Sequence, residues 1–177
     1  MSAAIDYGEN APNFFVYNPV VDEESTYLIE QSWKCLLDNS APRFKEEHKK
    51  YETTAMAEFY ELFYDNLFKM QPELEPIYRN SIRVKGRALV SMISTLLKII
   101  RGNDKKEMRK ELDEIAKMHR RLGVIPYMYG VLGECLIETL GTCLGEEVFN
   151  EECSQAWIHL YSFVVIEVFG VLRKVRD

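Results

Sequence analysis

A chain of 177 residues with 47% hydrophobic and 12% aromatic content can build one domain with a substantial core, and its ten Tyr and nine Phe make that core one of large flat side chains. A net charge of −6 with no basic stripe argues against a nucleic-acid partner. No uninterrupted run of about 18 apolar residues is present, so no membrane-spanning helix and no membrane partner are expected.

Met1 to Phe15 has neither the basic-then-apolar order of a secretory signal nor a glycine at position 2 for myristoylation. A cytoplasmic protein is therefore expected. Its four cysteines, Cys35, Cys135, Cys143 and Cys153, are scattered, with no Cys-x-x-Cys pair to suggest zinc; in that compartment they stay reduced.

Residues 1–22 carry Gly8, Pro12, Pro19 and several Asn without a helical period. They read as a flexible tail ahead of one domain over 23–177. From there the pattern is helix after helix, with no strand alternation and no internal repeat. The first helix is predicted over 23–39, capped by Asp22 and left through Asp38-Asn39-Ser40. The charged connector "APRFKEEHKK" follows. A second helix over 50–70 shows the stripe Met56, Phe59, Tyr60, Phe63, Leu67, Met70. Pro72 opens a short helix, "PELEPIY". The next spans 82–101, with Ile82, Leu89, Ile93, Leu96, Leu97 and Ile100 on one side. Gly102-Asn103 stops it, and Asp104 with Glu107 begins a helix over 105–120 that Gly123 ends. Pro126 starts a helix to 144, closed by Gly145, and Asn150 caps a last one over 151–174. The fold class is all-α.

In the 105–120 helix the apolar stripe runs Met108, Leu112, Ile115, then His119, then Leu122. A histidine there has three readings. It is a neutral core residue bonded to backbone, or a zinc ligand, or an axial haem ligand. Zinc wants further donors at close spacing, and Arg120 and Arg121 are the wrong neighbours. Haem needs one protein nitrogen, because the porphyrin supplies four. Two other polar residues border apolar stripes. Lys85 lies beside that of the 82–101 helix, where an unpaired buried ammonium is costly unless its stem follows the core edge and its amine reaches water. Tyr64 borders the stripe of the second helix.

Four segments in order resemble the globin family. "FYDNLFKMQPELEPIY" (Phe63–Tyr78) is similar to its second and third helices, and "KGRALVSMI" (Lys85–Ile93) to the distal helix. "AKMHRRLGVIPYMYGVLGECL" (Ala116–Leu136) resembles the proximal histidine and the helix after it. "LGEEVFNEECSQAWIHLY" (Leu144–Tyr161) resembles the start of the final helix. The nearest likeness is to single-domain relatives of flavohaemoglobins. The resemblance implies a helical sandwich around a haem pocket, holding haem b (iron protoporphyrin IX). It puts His119 at the proximal iron ligand and Tyr64 at the distal tyrosine that hydrogen-bonds a bound ligand. Lys85 falls where a distal His or Gln is usual, followed by Gly86, and Leu89 overhangs the ligand site. Tyr78 takes the place of the aromatic that stacks on the haem, usually Phe. Val124 meets the proximal face.

The departures carry chemistry of their own. The Lys85 amine either pairs with a haem propionate or turns inward as a distal iron ligand. The gap after Tyr78 is short, so Arg87 competes for the distal position. Tyr129 matches the tyrosine of the flavohaemoglobin proximal side, but Leu172 stands where its carboxylate partner is expected. The chain shows no reductase domain. The implied function is binding of a diatomic gas (oxygen, NO or CO) for storage, transport, sensing or redox chemistry. One alternative is a nitric oxide dioxygenase or peroxidase-type enzyme needing an external reductase. Another is a non-haem interaction module, against which His119 counts.

Overall fold

The computed structural model describes residues 7–42, 44, 53–78, 82–102, 105–121 and 124–174. Among them the regular structure is helical throughout, as the sequence pattern predicts. Helix α1 runs Glu23–Leu37. The Asp22 carboxylate accepts the Ser25 N–H at 2.9 Å while Ser25 Oγ accepts the Asp22 N–H at 2.9 Å, so a capping box forms with serine as its third residue. The chain leaves α1 through Asn39 at φ 58°, a left-handed turn that asparagine tolerates. The Asn39 side chain then accepts the Ala55 N–H at 2.8 Å, tying the exit of α1 to the start of α2.

Helix α2 is Ala55–Met70, five residues later than the predicted start at 50, because Thr54 caps it by accepting the Ala57 N–H at 3.1 Å. Most of the charged connector lies outside the described residues. A turn of 3₁₀ helix over Pro72–Leu74 leads into the four-residue α3, Glu75–Tyr78. Helix α4 is Ile82–Gly102, α5 is Lys105–Arg121, α6 is Pro126–Leu144 and α7 is Glu151–Lys174. Pro126 occupies the first turn of α6, and Gly145 ends that helix at φ 73°, where a Cβ would be strained. Asn150 Oδ1 accepts the Cys153 N–H at 3.0 Å and so caps α7. The predicted stops at Asn103 and Gly123 and the predicted start at Asp104 lie outside the described residues.

Packing divides into two clusters. In the larger, Ile29, Trp33 and Leu36 of α1 meet Phe59 and Phe63 of α2, Ile93 and Leu97 of α4, Leu140 of α6 and Trp157 of α7. Helix α2 packs on both α4 and α6. Its contact with α4 is closest at Gly86, where an added Cβ would lie 2.4 Å from Cγ of Tyr60. The two indoles are satisfied: Trp33 Nε1 donates to Ser94 Oγ and Trp157 Nε1 to Ser32 Oγ, both at 2.9 Å. The smaller cluster joins Ala116 of α5, Tyr129 of α6 and Val165, Val168 and Phe169 of α7 to Tyr7.

Two expectations change. Glu151–Val171 is long and apolar enough to cross a membrane by composition alone; in the fold it packs on α1, α5 and α6, which accounts for its apolarity. Nor does a flexible tail describe residues 7–20. Their backbone N–H groups bond across α6 and α7: Asn13 to Glu134 Oε1 at 3.2 Å, Val16 to Ser162 Oγ at 3.0 Å and Val20 to His159 Nδ1 at 3.0 Å. The tail reading rested on missing helical period, which says nothing of packing by extended chain. Residues 1–6 lie outside the described residues.

Candidate functional site

The buried face of α5 is centred on Leu112 and Ala116, which are 1% and 0% exposed. Met108, Ile115 and His119 flank it, half-buried, while Lys117, Met118, Arg120 and Arg121 face solvent. His119 thus stands at the edge of the buried face, not in the centre that the spacing alone suggests. Its carbonyl accepts the Val124 N–H at 2.9 Å, which fixes the turn into α6. Val124 packs against the smaller cluster.

The His119 ring meets the Tyr129 ring edge to face, centroids 5.8 Å apart at 87°. Tyr129 meets Phe169 in the same way at 5.5 Å and 88°. The Tyr129 backbone is held from α7, because the Tyr161 hydroxyl donates to its carbonyl at 2.5 Å. Within this apolar shell, His119 Nδ1 and the Tyr129 hydroxyl are buried and, among the described residues, without a hydrogen-bond partner. Such groups are rare in folded proteins and each calls for an explanation. Burial alone lowers the imidazole pKa below its ordinary 6.5 and raises that of the Tyr129 phenol to about 12. Both groups are therefore neutral at pH 7.

A core histidine has its nitrogens satisfied by the protein; Nδ1 of His119 does not. Among the described residues no three His, Cys, Asp or Glu side chains come together as a metal donor set. What remains is a neutral, rigidly walled imidazole at the edge of the core. Those are the requirements of an axial haem ligand, where the macrocycle supplies the other nitrogens. The residues present fit that group.

Tyr64 of α2 is buried in the larger cluster, 5.4 Å from the Phe63 ring and 6.0 Å from that of Phe68. Leu89 of α4 packs against the same cluster and Lys85 is half-buried. Gly86 docked on Tyr60 fixes the α4 register, and in that register Arg87, the competing polar residue, is exposed. The sequence-predicted residues thus fall into two groups: His119, Val124 and Tyr129 in one cluster, Tyr64 and Leu89 in the other with Lys85 beside them. Tyr78 closes α3, and its side chain, like that of Leu172, lies outside the described residues. The α7 ring that meets Tyr129 is Phe169, which the sequence reading does not single out. Helical spacing along Val165, Val168 and Phe169 could have found it.

A family model described as Globin matches residues 61–168. The chain is similar to a flavohemoprotein of Pseudomonas aeruginosa, 25% identical over 96 residues that cover 54% of this chain and 24% of the relative. It is 29% identical over 103 residues to flavohemoprotein B of Dictyostelium discoideum, covering 58% and 24% of the two chains. Along almost its whole length it resembles an anaerobic nitrite reductase of Gossypium hirsutum, 25% identical over 161 residues that cover 88% of this chain and 96% of that one. The chain spans about a quarter of the length of the flavohemoproteins it matches.

Proposed function

This chain belongs to the globin family, whose general activity is haem-based gas binding, and from that premise we propose that it holds haem b through His119 and binds a diatomic gas on the side of Tyr64. The observation that carries the reading is the half-buried, neutral imidazole of His119 held against the Tyr129 ring at the edge of the smaller apolar cluster. Bound there, haem would supply an iron centre able to take up a gas.

The chain's own residues do the rest. His119 offers a neutral ring nitrogen because burial keeps its proton affinity low. Tyr129 walls that ring edge to face and Val124 packs on the same cluster, so its orientation is set by packing, with burial as the one influence on its charge. Tyr64, buried among phenyl rings, offers a phenol O–H as hydrogen-bond donor to the gas. Leu89 would limit access and Lys85 would meet a propionate at the rim. The domain is 23–177, with residues 7–20 strapped onto it, and its four free cysteines suit a cytoplasmic setting. Absorption spectra of the purified protein in ferric, ferrous and carbon-monoxide forms test the reading. A Soret band that shifts between the three forms is expected; a protein that takes up no haem when reconstituted would sink it.

The match to a nitrite reductase along nearly the whole chain favours a second reading, turnover of a nitrogen oxide with electrons from an external reductase. Gas binding ranks first because, among the described residues, the α7 ring against Tyr129 is Phe169 and His119 feels burial alone, with no carboxylate to increase its electron donation. Single-turnover mixing of the ferrous protein with nitrite, and of its oxygenated form with nitric oxide, separates the two.

A further inference from the structure

The segment before α1 reaches the rings around His119. Tyr7 is 8% exposed and stacks on Phe169, centroids 5.8 Å apart at 12°. Phe15 closes over it at 4.7 Å. A ladder of four rings therefore runs Tyr7, Phe169, Tyr129, His119, each in contact with the next. The strap is seated along its length. The Ala11 carbonyl lies where Gly130 leaves room, since a Cβ at Gly130 would come within 3.1 Å of it. Three N–H bonds then carry the chain onto Glu134, Ser162 and His159, and Ser162 is fully buried.

We propose that Tyr7 is a positioning residue for His119 and that residues 7–20 are the cover that keeps the His119–Tyr129 side of the molecule dry. The physical reason is local. Among the described residues His119 Nδ1 and the Tyr129 hydroxyl have no hydrogen-bond partner, so ring packing is what fixes these ends, and Tyr7, itself covered by Phe15 and Tyr17, is where the strap joins that packing. Removing it leaves Phe169 without its stacked neighbour, frees Tyr129 to tilt and opens a route for water to two neutral buried groups. The positioning claim concerns the ring ladder and rests on the haem reading only for its functional consequence.

Hydrogen–deuterium exchange on the full-length protein tests it, comparing wild type with Tyr7→Ala, Tyr7→Phe and Gly130→Ala. Tyr7→Phe keeps the ring. Gly130→Ala pushes on the strap from beneath and leaves the ladder's own atoms in place. The expectation is exchange faster by on the order of tenfold in residues 115–131 for Tyr7→Ala and Gly130→Ala, with Tyr7→Phe near wild type. In the haem-loaded ferrous protein, the iron–histidine stretching band should shift or broaden in the same two variants. Exchange in 115–131 that is unchanged in both, or that rises equally in every helix, would overturn the proposal. If Tyr7→Ala fails to fold, Gly130→Ala decides alone. Exchange is read with or without haem, so a protein that takes up none would defeat the haem reading and leave the strap still decided.

Discussion

His119 and Tyr129 make opposite demands on pH. The folded imidazole has a pKa below 6.5, so between the two values the unfolded chain binds more protons than the native state. The stability this neutral ring contributes is whole above 6.5 and is lost as the pH falls below it towards the folded value. The Tyr129 phenol is raised from 10.0 to about 12; its contribution is whole below pH 10 and is lost as the pH rises towards 12. In denaturant titrations from pH 9 to 12, Tyr129→Phe should lose stability less steeply than wild type. At pH 7 the same substitution removes a buried hydroxyl with no partner. It should leave stability unchanged or raise it by about 1 kcal/mol. A loss above about 1 kcal/mol would mean the hydroxyl has a partner in solution. On the other side, Tyr64→Phe keeps the buried ring and removes the donor. Oxygen dissociation should accelerate roughly tenfold or more, the kinetic equivalent of a hydrogen bond worth about 1–2 kcal/mol; an unchanged rate would rule out the donor role. Lys85→Ala should leave the ferric spectrum between pH 5 and 9 as in wild type if the amine meets a propionate. Disappearance of a low-spin, acid-sensitive form would instead show that it ligates.

At the scale of elements, what was legible in the sequence was what local chemistry decides. Asp22, Pro126, Gly145 and Asn150 sit where caps and stops are wanted, and the helices they bound lie where the spacing puts them. The start of α2 shifted because Thr54 captures the first turn and Asn39, sixteen positions earlier, holds Ala55, a pairing no local pattern reveals. Gly86 illustrates the middle case. The resemblance marks it, but only the packing shows why: α2 and α4 cross there with no room for a methyl group. Gly86→Ala, whose Cβ would press on the root of the Tyr60 ring, should cost about 1–3 kcal/mol as the helices part. Chemical denaturation measures this. Because Tyr64 lies one turn further along α2, the same variant should change oxygen dissociation without touching the donor itself.

Across the whole molecule, the candidate site was legible as single residues and illegible as an arrangement. His119 announced itself as a polar residue on an apolar stripe. That its ring would face Tyr129, that Phe169 would back that tyrosine, and that Tyr7 would stack behind them depends on contacts between positions far apart in the chain. The strap carries no periodic signal, because extended chain held by single N–H bonds needs none. The apolarity of α7 likewise became intelligible only once its neighbours on several sides were known. All of these features converge on one side chain, His119. The most direct test is therefore the haem content and visible spectrum of His119→Gly beside wild type, each reconstituted with haem and then supplied with free imidazole. The variant should retain little haem or show a spectrum without its axial nitrogen, and imidazole should restore the wild-type spectrum. A His119→Gly protein with wild-type haem content and an unchanged spectrum before any imidazole is added would contradict the assignment of His119 as the ligand.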